Sequence, residues 1–302
     1  LLAWTPAWAE QTPTVAGEAE ETPRLTSVEK VRLVLLPTSV TTRRGKPLRG
    51  LDRRDFRLYE DGLPREIDLF ATEENTPIAI AFLLDVSGSM GLHDHLGEAK
   101  RAIRHIVETL DEDDRVGLIG FADGRVDWIT EFDRDRADFL ERLDVQRAAG
   151  RTALYDALAA SPHLVDAEIR GRKAIVLITD GVDNASTLSR LRATWMARRV
   201  AVPIYTLSFV PVQEKLRPYR VREALRVLER FSVETGGSLF PVHGTRDLDR
   251  AAEQIRNELR FQYVIGFYPT RDVWDGSFRV LRLETERSGL RVRTRRGYYA
   301  DP

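Results

Sequence analysis

Oxygen-bearing side chains recur at three separated points of this chain, each beside an apolar run. "FLLDVSGSM" carries Asp85, Ser87 and Ser89, "AGRTALYDAL" carries Thr152, and "KAIVLITDG" carries Asp180. Alternate residues of an extended loop point the same way, so Asp85, Ser87 and Ser89 can converge. Two carboxylates and three hydroxyls form an all-oxygen set. Such a set suits a hard divalent cation, Mg²⁺ first, with Mn²⁺ or Ca²⁺ as substitutes. Neutral hydroxyl ligands leave the charge of such an ion partly uncompensated, and a position held by water could pass to a carboxylate offered by a partner. Taken singly, each stretch also reads as an ordinary turn, because Asp and Ser are common turn residues.

Three loops can meet only if the elements before them run side by side. "PIAIAFLLD" and "KAIVLITDG" are continuous apolar runs, as expected of strands covered on both faces. Between and after them come helical patterns: His95–Leu110, "DRADFLERLDV", "TALYDALAASPHLVDAEIR", Leu188–Arg199, Val221–Thr235 and Asp247–Arg260. Strands are predicted at Val202–Phe209 and Ser238–Val242, and a hairpin around Asp123-Gly124. This alternation predicts an α/β domain over residues 77–260, a doubly wound and mostly parallel sheet with helices on both faces. In such a sheet ligands gather outside the carboxyl ends of the strands where the strand order reverses, which is where Asp85 and Asp180 should lie.

Both ends of the chain read differently. Residues 26–75 alternate like a small antiparallel β unit, with a hairpin at Asp61-Gly62. Residues 261–302 hold the strand-like runs "FQYVIGFYPT", "SFRVLRLETE" and "LRVRTRRGYYA". Two- or three-stranded units are marginal alone, so the two ends are expected to pair into one β-sandwich-like unit. Tyr298 and Tyr299 are expected to complete its core. Residues 1–9, with Ala7-Trp8-Ala9, look like the end of a secretory signal peptide, and residues 10–25 like a flexible linker. An exported protein, periplasmic or extracellular, is therefore expected.

Composition narrows the function. The chain has 302 residues, 42% hydrophobic and 31% charged, with net charge −1 and no basic tract, which argues against nucleic acid as a partner. It has no cysteine, which excludes disulfides, thiol catalysis and Cys-type metal sites. No stretch is apolar for the ~18 residues needed to span a bilayer. The G-x-S-x-G, P-loop and G-x-G-x-x-G patterns are missing from the strand ends where they would act. His93-Asp94-His95 follows the Asp85 loop and is read as a solvated helix start. Asp183 and Asn184 are read as a turn, "DEDDR" at 111–115 as a solvated acidic loop, and Asn184-Ala185-Ser186 as a chance glycosylation pattern.

The three segments "DVSGS", "GRTALYDAL" and "ITDG" resemble the metal-ion-dependent adhesion site of von Willebrand factor type A domains. Asp85, Ser87 and Ser89 match its D-x-S-x-S loop, Thr152 its threonine and Asp180 its second aspartate. The resemblance covers about residues 77–260, and the flanks "RDFRLYEDGLPREI", "YVIGFYP" and "RRGYYA" resemble a bacterial extracytoplasmic group of such domains. It implies a six-stranded Rossmann-like sheet with one antiparallel edge strand, and serines that ligate directly while the aspartates act directly or through water. It also implies a non-catalytic protein-binding module, of adhesion or scaffold type, that takes an acidic residue of a protein partner. A metal-assisted hydrolase or phosphotransferase, and an envelope scaffold binding through its β unit, stand as the alternatives.

Overall fold

Apolar patterning sorts the strands into two kinds, and the two kinds build two different layers. The computed structural model describes residues 32–73, 76–169, 171–209, 218–269 and 274–301. The signal-like segment 1–9, the linker 10–25 and the first residues of the N-terminal β unit lie outside them.

The described chain opens on four strands of the alternating kind: β1 (Val34–Thr42), β2 (Phe56–Glu60), β3 (Leu63–Arg65) and β4 (Leu69–Glu73). The central segment then alternates strand and helix as its sequence predicts. In chain order it forms β5 (Ile78–Asp85), α1 (His95–Glu108), β6 (Arg115–Ala122), β7 (Arg125–Asp133), α2 (Arg136–Asp144), α3 (Leu154–Glu168), β8 (Arg172–Thr179), α4 (Arg190–Ala197), β9 (Ile204–Phe209), α5 (Pro218–Thr235), β10 (Leu239–Val242) and α6 (Thr245–Arg260). Six of these strands make one sheet in the order β10-β9-β8-β5-β6-β7. All neighbours are parallel except β6 and β7, which form the hairpin expected at Asp123-Gly124. Both turn residues have positive φ, 49° and 75°, as the tight hairpin turn requires.

β5 is buried at every position because both of its faces are covered. Ile80, Phe82 and Leu84 face a core shared with α1, α2 and α6; Ala81 and Leu83 face a second core shared with α3, α4 and α5. Each large side chain so buried contributes about 1.5–3 kcal/mol. The chain leaves β5 for β6 on one side and later crosses to β8 on the other. The strand order therefore reverses between β5 and β8, and a crevice opens at their carboxyl ends.

The second layer joins the first four strands to the last four, which are β11 (Gln262–Phe267), β12 (Phe278–Thr285), β13 (Leu290–Arg293) and β14 (Gly297–Tyr299). They pair into two antiparallel sheets, β13-β1-β11-β4 and β14-β12-β2-β3, each mixing N- and C-terminal strands. One core joins the two sheets, with Leu36, Phe56, Leu58, Ile265, Phe267 and Leu281 among its members. Tyr298 is buried there and its hydroxyl donates to Glu60 at 2.5 Å, while Arg65 Nε donates to the same carboxylate at 2.8 Å. The architecture is thus α/β, a doubly wound six-stranded sheet flanked by a β-sandwich-like unit.

Candidate metal centre

The three loops named from sequence meet at the crevice between β5 and β8. Asp85 ends β5 fully buried, as are Ser87, Thr152 and the Thr179 that ends β8. Asp85 Oδ1 accepts the Ser87 N–H at 2.9 Å, and its Oδ2 accepts the Thr179 hydroxyl at 2.7 Å. The Ser87 and Ser89 hydroxyl oxygens lie 3.1 Å apart, and Thr152 Oγ1 donates to Ser87 Oγ at 2.9 Å across 65 residues of sequence. Asp180 follows Thr179 directly, and its charge acts on Asp85. Hydrogen bonds thereby link Asp85, Ser87, Ser89 and Thr152, and Asp180 is tied to them through its charge on Asp85.

Main-chain bonds hold the loops in that arrangement. Gly88 N–H donates to the Gly150 carbonyl at 2.9 Å, and Ala149 N–H to the Val86 carbonyl at 2.8 Å. Arg151 N–H donates to Asp123 Oδ1 at 2.7 Å, so the β6–β7 turn grips the loop that carries Thr152. Gly150 permits this grip. Its φ is +81°, and a Cβ there would stand 2.2 Å from Asp123 Oδ2.

Asp183 and Asn184 do more than the turn read from sequence, and Ser186 more than close a chance glycosylation pattern. Asn184 Oδ1 accepts the Thr152 N–H at 2.9 Å, and Asn184 N–H returns a bond to the Thr152 carbonyl at 3.0 Å. Helix α3 has Ala153 at its N-cap with no side-chain bond of its own. Its first amides are capped from the β8–α4 loop instead: Asp183 Oδ1 accepts Leu154 N–H at 2.9 Å and Ser186 Oγ accepts Tyr155 N–H at 2.9 Å. The sequence signal for this was the missing Ser, Thr, Asp or Asn at position 153. His95 is buried and stacks on Phe209, with ring centroids 5.8 Å apart, rather than facing solvent as read.

The electrostatics are those of a site short of positive charge. Burial pushes the Asp85 carboxyl up to about 6; the Asp180 charge adds to the rise, while the bonds from Ser87 and Thr179 oppose it. Asp180 Oδ1 is buried and has no hydrogen-bond partner. A buried carboxylate oxygen left in that state costs about 1–3 kcal/mol. Among the described residues no group of three or more His, Cys, Asp or Glu is placed to hold a metal. A cation at this edge would therefore depend on hydroxyl oxygens beside the two carboxylates. The donor set fits Mg²⁺: all oxygen, two carboxylates, and one carboxylate oxygen that the protein leaves unsatisfied.

Comparison with known proteins agrees with this geometry at the level of fold. Residues 80–182, which span β5 to just past β8, match the family model of the von Willebrand factor type A domain. That stretch of the central domain is similar to this family. Among solved structures, a von Willebrand factor type A protein from Catenulispora acidiphila is 12% identical with a TM-score of 0.51, over 88% of this chain and 73% of that one. Proximal thread matrix protein 1 from the mussel byssus is 17% identical with a TM-score of 0.51, over 66% of this chain and 51% of that one. The conserved hypothetical protein BatB from Bacteroides thetaiotaomicron is 21% identical with a TM-score of 0.47, over 60% of this chain and 98% of that one. No curated protein matches the chain.

Proposed function

We propose that this protein is a non-catalytic, metal-dependent protein-binding module. Mg²⁺ would be held by Asp85, Ser87, Ser89, Thr152 and Asp180, and when bound it would offer an open position to an Asp or Glu carboxylate of a protein partner. The observation that carries this reading is the unpartnered, buried Asp180 Oδ1 beside the buried Asp85 and three converging hydroxyls. The chain's own residues do the rest. Thr179 and the Ser87 N–H orient Asp85, and the Asn184 clamp fixes Thr152. The proposal includes export, on the strength of the Ala7-Trp8-Ala9 pattern; among the described residues no helix is long and apolar enough to cross a membrane.

Calorimetric titration with Mg²⁺ and Mn²⁺ tests the metal reading. Saturable binding that Asp85→Ala abolishes is expected; no binding of either ion, or binding unchanged in the variant, overturns it. Capture of envelope proteins with and without chelator tests the partner reading, which requires that chelator release what is captured. Turnover of phosphate or ester substrates that Ser87→Ala abolishes would transfer the site to a hydrolase.

A further inference from the structure

The net charge of the chain is −1, yet four of the six residues 291–296 are arginine. A cleft of about 290 Å³ lies between β12, the β13–β14 segment and the C-terminal end of α5. Arg282, Arg291, Arg293, Arg295 and Arg296 line it, and no carboxylate does. It lies near the amino edge of the six-stranded sheet: a Cβ on its lining residue Gly237 would collide with the Ile204 carbonyl, where β9 begins. The candidate metal centre is at the opposite, carboxyl edge.

Two of the five guanidinium groups are neutralised. Arg282 pairs with Glu284 at 2.5 Å, and Arg293 pairs with the buried Glu258. Arg291, Arg295 and Arg296 have no carboxylate partner among the described residues. Glu234 takes the Arg296 N–H on its main-chain oxygen at 3.2 Å, but its side chain is committed to Arg198 at 2.7 Å. Arg295 Nη2 donates to the Leu35 carbonyl at 3.0 Å. Arg295 Nε and Thr294 Oγ1 are both buried with no partner. Burial lowers the Arg295 guanidinium to about 10, with only Tyr298 acting the other way.

A purely structural role covers part of this. The C-terminus of α5 favours a cation nearby, within its last turn, and gives the other guanidinium groups no counter-charge. The backbone is also shaped for close approach. Gly236 has φ +94°, and a Cβ there would stand 3.0 Å from Arg295 N, so the arginine strand sits directly against the helix end. Several planar, fully charged forks around one concavity suit an oxyanion, which each can bind through two parallel N–H bonds.

We propose that this cleft binds a small, multiply charged oxyanion, one carrying phosphate or carboxylate groups. Arg291 and Arg296 are exposed and supply the contacts, while Arg295 Nε and Thr294 Oγ1 stay buried and unpartnered in the same segment. The test is calorimetric titration of the full chain, free of divalent metal, with inorganic pyrophosphate and in parallel with citrate. Saturable binding of either is expected, weakening with added salt. In Arg291→Ala/Arg296→Ala it should weaken by about tenfold or more at an unchanged melting temperature. Pyrophosphate alone would mark a phosphate site and citrate alone a carboxylate site. Binding of neither, or equal binding by the variant, overturns the proposal. The single variants Arg291→Gln and Arg296→Gln give the same reading if the double variant loses its fold.

Discussion

The two edges of the six-stranded sheet treat buried aspartates in opposite ways. At the amino edge Asp114 is 1% exposed and accepts the Ile78 and Asp111 N–H groups, each at 2.9 Å. Its charge is met by Arg260, whose Nη2 is 2.5 Å away. At the carboxyl edge Asp85 is equally buried and equally hydrogen-bonded, but its charged neighbour is Asp180, another carboxylate. Asp114 is finished by the protein and holds the fold together. Asp85 has no cationic partner among the described residues. Buried carboxylates are normally paired or metal-bound, so the missing partner marks this edge as the candidate site.

Opposite responses to parallel substitutions would sharpen that contrast. The largest effect is expected for Asp114→Ala, which strands Arg260 and two N–H groups and should destabilise the protein by roughly 3 kcal/mol in urea unfolding. Asp85→Asn, measured without metal, should instead raise stability at neutral pH by about 2–3 kcal/mol, because it removes a charge whose pKa is raised by burial. If both aspartates destabilise on substitution, the contrast fails.

The pH dependence follows with its sign. The Asp85 pKa is raised from 3.8 to about 6 in the folded protein, so between those values the folded state binds more protons than the unfolded. The stability linked to that proton is fully present below pH 3.8 and is lost as pH rises through about 6. Metal-free protein should show this loss in denaturant titrations at stepped pH, and Asp85→Asn should not. A smaller effect is expected at the clamp. Asn184→Ala frees the Thr152 N–H and should cost about 1 kcal/mol of stability. It should also lower Mg²⁺ affinity by several-fold in calorimetry, with Asp85 untouched.

Much of the site was legible because its residues are fixed to strand ends. An apolar run that stops at a carboxylate marks a strand's carboxyl edge, and the alternation of Asp85, Ser87 and Ser89 follows from extended backbone. What escaped the sequence were partners that are distant along the chain. Thr179 reads as one more strand residue, yet it holds Asp85. Asp183 reads as a turn residue and Ser186 as part of a chance glycosylation pattern, yet they cap a helix that begins 29 residues before Asp183. Asp114 sits in "DEDDR", which reads as a solvated loop, and only its pairing with Arg260, 146 residues on, shows that it is buried.

By itself, then, the sequence determined the α/β alternation, the two-faced burial of β5 and β8, and the hairpin turns, and it named the five oxygen-bearing residues of the candidate site. These depend on local periodicity and on residue chemistry, which a single chain displays in full. Tertiary structure decided which charges are met and which are left. The strand order within the sandwich, the Asn184 clamp, the Asp114–Arg260 pair and the arginine cleft all join segments far apart in the chain. Whether a buried charge finds a partner depends on distances of a few ångströms, and only the folded chain sets those.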